Sequence, residues 1–178
     1  MLSSKYDNKA ALLSFLRHSL SIHANDNLVF CTLRFNNPQK DIEQAKQTTR
    51  KIYSRILNQF QGRRWYKHPL PSVSIIEHGK TNTLHAHTIF NLGQKTMTDF
   101  STALFFCKHK YPYLYLDYDI FSDLFQKTNN YTPVKNHILV RSVFNMDVLG
   151  YMTKEYNFNR RYIDFENLYT SDMLFNAV

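Results

Sequence analysis

The fold turns on "SVSIIEHGKTNTLHAHTIFNL", Ser72 to Leu92. Two runs rich in β-branched residues flank "GKTNT", which has turn composition, so the segment predicts two strands joined by a short loop. A loop this short leaves the strands antiparallel. Side chains at i and i+2 of a strand share a face. His85 and His87 therefore project together, while Leu84, Ala86 and Thr88 face the other way. Glu77 ends the first strand, and the hairpin returns it alongside the histidines. His78 follows it and is expected to face away. Two imidazoles and a carboxylate on one face suit a divalent cation, with positions left open for water or substrate oxygen.

Outward from the hairpin, "NLVFCTLRF" (Asn27 to Phe35) predicts a strand that ends at "NNP". Between it and the hairpin, Asp41 to Phe60 has Ile42, Ala45, Ile52, Ile56 and Phe60 on one side. Lys46, Arg50, Lys51 and Arg55 lie on the other, which makes an amphipathic helix with a basic outer face. Residues 8–22 show helical spacing in Ala11, Leu12, Phe15, Leu16 and Leu20. Beyond the hairpin, "DFSTALFFCKHK" predicts a helix capped by Thr98. "YPYLYLDYDIF" starts as a strand, "TNNYTPVKN" reads as a loop and "HILVRSV" is a further strand. "NMDVLGYMTKEY" follows as a helix capped by Asn145 or Asp147, with Gly150 as a weakness inside it. The tail from Asn157 is weakly patterned. The expectation is an α+β fold: a central antiparallel sheet of about five strands with helices packed on it. No repeat or Gly/Pro-rich linker divides the chain, so residues 1–178 are expected to form one domain. Its core would span about 27–156, with 157–178 peripheral.

Composition narrows the function classes. With 43% hydrophobic and 15% aromatic residues, the chain is too apolar for a disordered segment. A formal net charge of +8 favours a polyanionic partner. No apolar run approaches the roughly 20 residues of a membrane span, and Lys9 and Arg17 break the N-terminal stretch, unlike a secretory signal. Cys31 and Cys107 lie in apolar runs, as expected of reduced core residues in an intracellular protein.

A second constellation lies in "YMTKEY". Tyr151 and Lys154, three apart on a helix, face the same way. Tyr156 lies about 140° round from Tyr151 at about 100° per residue. A tyrosine hydroxyl attacks a phosphodiester when a cation polarises the phosphate and a lysine favours the phenolate. "GRRWYKH" adds Arg63, Arg64, Trp65, Tyr66 and Lys67, a mix of cations and stacking rings suited to single-stranded DNA. "CKHKYPY" is a second such stretch, and Arg34 is a further candidate DNA contact. "GKT" at 79–81 lacks the upstream glycine of a P-loop.

The strand "VFCTLRF", the triplet "HAH" and the later "YMTK", in that order, resemble the HUH endonucleases, and within them the single-tyrosine rolling-circle replication initiators. The resemblance covers about Asn27 to Tyr156. It implies a ferredoxin- or RRM-like sheet, with Mg²⁺ or Mn²⁺ held by Glu77, His85 and His87. It also implies a nucleophilic Tyr151 with Lys154 as its companion, and site-specific nicking and joining of single-stranded DNA through a 5′-phosphotyrosine link. The implied partners are a replication origin, a hairpin among its possible forms, and host replication proteins, with no membrane. The implied setting is wherever the replicon is copied, a prokaryotic cytoplasm before a nucleus. Many viral relatives continue into a helicase domain, for which the residues up to Val178 leave no room; a stand-alone nickase or a piece of a longer protein is expected. A single-tyrosine transposase or relaxase, and an RRM-like binding module without catalysis, are the alternative readings.

Overall fold

The computed structural model describes residues 3–23, 25–35, 41–78, 84–110, 114–118, 136–143, 147–153 and 168–175. In chain order the elements are α1 (Ser3–Ser19), β1 (Leu28–Arg34), α2 (Ile42–Gln61), β2 (Ser72–His78), β3 (Leu84–Asn91), α3 (Met97–Lys110), β4 (Leu114–Tyr118), β5 (Asn136–Ser142), α4 (Asp147–Met152), β6 (Leu168–Thr170) and α5 (Ser171–Phe175). The strands form one sheet in the order β4-β5-β1-β3-β2-β6. Five of them, β5 to β6 in that order, pair antiparallel throughout. β4 adds a parallel edge strand on β5. The inner part, β1-α2-β2-β3-α3 returning to β5 beside β1, is the split β-α-β-β-α-β arrangement.

Strand parity divides the core into two layers. On one face Val29, Cys31 and Leu33 of β1, Ala86 and Phe90 of β3 and Ile138 and Val140 of β5 meet Ile52, Tyr53, Ile56 and Leu57 of α2 and Phe100 and Leu104 of α3. On the other face Val73, Ile75 and Ile89 meet Leu12, Leu16 and Leu20 and, from α4, Leu149 and Met152. Burying these side chains is what holds helix to sheet, at about 1.5–3 kcal/mol for each large aliphatic residue.

Local signals set the helix ends. Asp41 caps α2 by accepting from the Gln44 amide at 2.7 Å. α3 starts two residues earlier than expected from sequence, so Thr96 rather than Thr98 is its cap. The Thr96 hydroxyl accepts from the Asp99 amide, and the Asp99 carboxylate accepts from the Thr96 amide, which makes a reciprocal capping box around Met97. These contacts also hold the Asp99 carboxyl below its ordinary range, through the Thr96 amide first and the Thr96 hydroxyl second.

The expected core of 27–156 is too narrow at both ends. Leu12, Leu16 and Leu20 precede it and are fully buried. In the tail, β6 extends the sheet beside β2, and Leu168, Leu174 and Phe175 enter the core. Residues 154–167 and 176–178 lie outside the described set, as do the expected turn at 79–83 and all of the expected loop 128–136 but Asn136, which begins β5. No helix among the described residues is long and apolar enough to cross a membrane.

Candidate metal centre and tyrosine

The hairpin register puts Glu77 directly opposite His85, with Ile75 opposite His87. From the other side, β1 sets Arg34 opposite His85 and Thr32 opposite His87. All of these share one sheet face, the face that carries α1 and α4. Glu77 and His87 are each only 3% exposed, and His85 is partly exposed. His78 is exposed and pairs with Leu84 of the opposite layer, so it turns away from this group.

Nε2 of His85 lies 3.1 Å from Nε2 of His87. The two nitrogens lie 3.7 and 3.9 Å from the carboxylate oxygens of Glu77. Metal–nitrogen and metal–oxygen bonds of about 2.0–2.2 Å separate neighbouring donors by about 3.0–3.5 Å. The observed separations are close to this, and one ligand atom from each residue lies within 4.8 Å of the others. Glu77, His85 and His87 could therefore hold a metal ion, the one such group among the described residues. Its donors are two neutral nitrogens and one anionic oxygen. That set serves several divalent metals and does not by itself select one.

Two residues that the sequence reading did not single out complete the surroundings. Thr32 Oγ1 lies 2.9 Å from Nδ1 of His87. The Phe30 ring stacks on His87 at 5.3 Å with 21° between planes. Their signal was the alternation of "LVFCTLR": Phe30, Thr32 and Arg34 occupy the face opposite Val29, Cys31 and Leu33. Only the β1–β3 pairing connects them to His87, 55 positions away for Thr32. Arg141 of β5 stands opposite Phe30 in the register and brings a partly buried cation to the same face.

Tyr151 of α4 reaches this group. Its ring lies edge-on to His87 at 5.5 Å and edge-on to Phe30 at 6.2 Å. It is also 49% exposed, so the phenol borders both the metal group and solvent. Leu149 and Met152 anchor the same helix in the core, which turns Tyr151 toward the rim. Lys154, its expected companion, lies outside the described residues.

The candidate DNA contacts divide in two. Arg34 is exposed and sits at the His85 register position. Arg63, Arg64, Tyr66 and Lys67 are exposed too, but the short 3-10 helix Trp65–Lys67 follows α2, on the opposite layer, and precedes the start of β2. Five residues of strand separate Ser72 from Glu77, about 17 Å. Trp65 is partly buried and packs edge-on against Phe175 at 5.1 Å, at the margin of the α2 layer. "CKHKYPY" lies partly outside the described residues. The chain matches no family model, no curated protein and no solved structure.

Proposed function

We propose that the protein is a metal-dependent, site-specific single-stranded DNA endonuclease that nicks and rejoins strands through Tyr151, in the manner of a rolling-circle replication initiator. The observation that carries this reading is the meeting of a Glu/His/His group with an exposed tyrosine ring 5.5 Å from one of its histidines. In this reading Glu77, His85 and His87 hold Mg²⁺ or Mn²⁺, which when bound polarises the scissile phosphate and offsets charge on the leaving oxygen. Oη of Tyr151 attacks phosphorus and its proton passes to solvent. The new Tyr–O–P bond replaces the P–O3′ bond, and the 3′-oxygen leaves with a proton as a free hydroxyl. Because the phosphotyrosine keeps the bond energy, the reverse attack by a 3′-hydroxyl rejoins ends without a nucleotide cofactor. Arg34 and Arg141, on the same sheet face among the described residues, are proposed to meet the DNA backbone. Lys154 is proposed to offset charge on the phosphate or phenolate.

The reading belongs to replication rather than transposition or conjugal transfer on the YxxK spacing alone; cleavage of a hairpin origin against joining of transposon ends separates these. A binding module without catalysis draws support from Phe30 and Tyr151, aromatic rings on one sheet face, as in RRM-type recognition. The deciding experiment incubates the protein with a pool of single-stranded oligonucleotides and Mn²⁺. The nickase predicts a protein band shifted upward on a denaturing gel, lost in chelator and in Tyr151→Phe. DNA binding that survives chelation, with no adduct, would leave the binding module.

A further inference from the structure

We propose that Thr32 is a positioning residue: its hydroxyl accepts the Nδ1 proton of His87 and so fixes the tautomer whose Nε2 lone pair faces Glu77 and His85. This rests on the metal-centre reading above and adds to it a residue outside the ligand set. The supporting geometry comes from the sheet. Thr32 stands directly opposite His87 in the β1–β3 register, where Cβ atoms lie about 4.5–5.5 Å apart. A threonine hydroxyl is one bond from Cβ, so across this gap it reaches the ring nitrogen nearer the backbone, which is Nδ1. The contact is 2.9 Å.

Nδ1 and Nε2 of a neutral imidazole divide the roles of donor and acceptor. With Nδ1–H bonded to Thr32, Nε2 presents its lone pair where the other two donors converge, 3.1 Å from Nε2 of His85 and 3.9 Å from Glu77. The opposite tautomer would put a proton on Nε2 and close that position to a metal. Phe30 restrains the remaining freedom, since its ring lies nearly parallel on the imidazole and resists rotation about the Cβ–Cγ bond. The partner histidine has different neighbours: Arg34 stands opposite His85 on β1 and Glu77, a ligand of the same group, opposite it on β2. His87 is thus the buried ligand with a hydroxyl on the neighbouring strand, and His85 the partly exposed one. Partners of this kind orient metal-binding histidines in general, and their loss typically weakens metal binding about 10–100-fold.

The test needs no DNA. Nitrogen-15 spectra of the metal-free protein, in mildly alkaline buffer where imidazole is neutral, report which nitrogen of His87 carries the proton. Calorimetric titration with Mn²⁺ reports affinity. The expected results are the Nδ1–H tautomer in wild type and Thr32→Ser, with affinities within about three-fold of each other. Thr32→Val, which keeps the shape and loses the hydroxyl, is expected to shift His87 toward Nε2–H and weaken Mn²⁺ binding about 10–100-fold. An Nε2–H tautomer in wild type would overturn the proposal without any variant having to fold. Equal Mn²⁺ affinity in wild type and Thr32→Val would overturn it while leaving the metal centre standing. Failure of the wild type to bind Mn²⁺ would remove the metal centre and this proposal together.

Discussion

Replacing Glu77 by glutamine keeps the side chain's size and removes the anionic donor. The metal group then has two nitrogens and a weak amide oxygen. In the native protein, Nε2 of His85, Nε2 of His87 and the Glu77 oxygens sit 3.1–3.9 Å apart before any ion arrives. The two nitrogens face different carboxylate oxygens, and one donor atom from each residue lies within 4.8 Å of the others, so binding requires the three side chains to close on the ion within the existing hairpin register. An ion that binds only the folded state stabilises it by about 2.7 kcal/mol at a hundred times its dissociation constant. For a chain of 178 residues, each kcal/mol moves the melting temperature by about 2–4 °C. Saturating Mn²⁺ is thus expected to raise the wild-type melting temperature by about 5–11 °C. In Glu77→Gln at the same concentration the rise is expected to fall to about 3–6 °C for a tenfold loss of affinity and below about 2 °C for a hundredfold loss. The assay is differential scanning fluorimetry or calorimetry with a metal titration, chelated protein serving as baseline. An equal rise in wild type and Glu77→Gln would refute the ligand assignment. No rise in wild type with Mn²⁺ or Mg²⁺ would refute the metal centre.

Four further outcomes are expected. Tyr151→Phe keeps the ring against His87 and Phe30, so it should retain folding, DNA binding and the Mn²⁺-induced rise while forming no covalent adduct on a denaturing gel; an adduct in this variant would refute the nucleophile. Arg63→Ala with Arg64→Ala should leave the cleavage rate of a short oligonucleotide within about two-fold, because their loop adjoins the α2 layer, on the sheet face opposite Glu77; a tenfold loss would show that DNA crosses to that layer. Asn91→Ala should cost about 2–4 kcal/mol in denaturant unfolding, since Asn91 donates to the Leu20 and Ser21 carbonyls and to Asp26, and accepts from the Gly93 amide. The bond from Asn91 leads the contacts that lower the Asp26 carboxyl; stability from that carboxyl is present above its unfolded value and lost as pH falls through its lower folded value, so the gap between wild type and Asn91→Ala should narrow below about pH 4, and a gap that widens in acid would contradict the assignment.

What the sequence revealed follows from the range of the interactions. Period-two alternation and the short "GKTNT" connection are local, and they sufficed for the hairpin, for the shared face of His85 and His87 and for Glu77 beside them. Tyr151 was visible only as a residue type at a spacing; that its ring meets His87 depends on Leu149 and Met152 docking α4 on the sheet, which no local signal carries. Thr32 and Phe30 were hidden for the same reason, being ordinary strand residues until β1 pairs with β3. β6 is three residues long, and only its place beside β2 makes it a strand. Trp65, beside four exposed polar or cationic neighbours, reads in sequence as a stacking ring, while its edge-on packing against Phe175, which leaves it partly buried, depends on a residue far along the chain.

The two layers also explain why a site forms where it does. β2 presents Val73, Ile75 and Glu77 to one face, and the first two are covered by α1 and α4. Glu77 comes two residues beyond Ile75 at the end of the strand, where that apolar cluster stops. A carboxylate 3% exposed in a sheet costs stability unless something compensates it. The imidazole nitrogens across the hairpin lie at 3.7 and 3.9 Å, beyond hydrogen-bond range, and a cation held among the three residues would supply that compensation. Tyr151 belongs to α4, the same helix that ends the cover, so the packing that closes the core also delivers the phenol to the edge of the polar group. A polar cluster that breaks the local rule of an apolar strand face, at the point where a helix leaves the sheet open, is the pattern expected of a functional site rather than of a structural core.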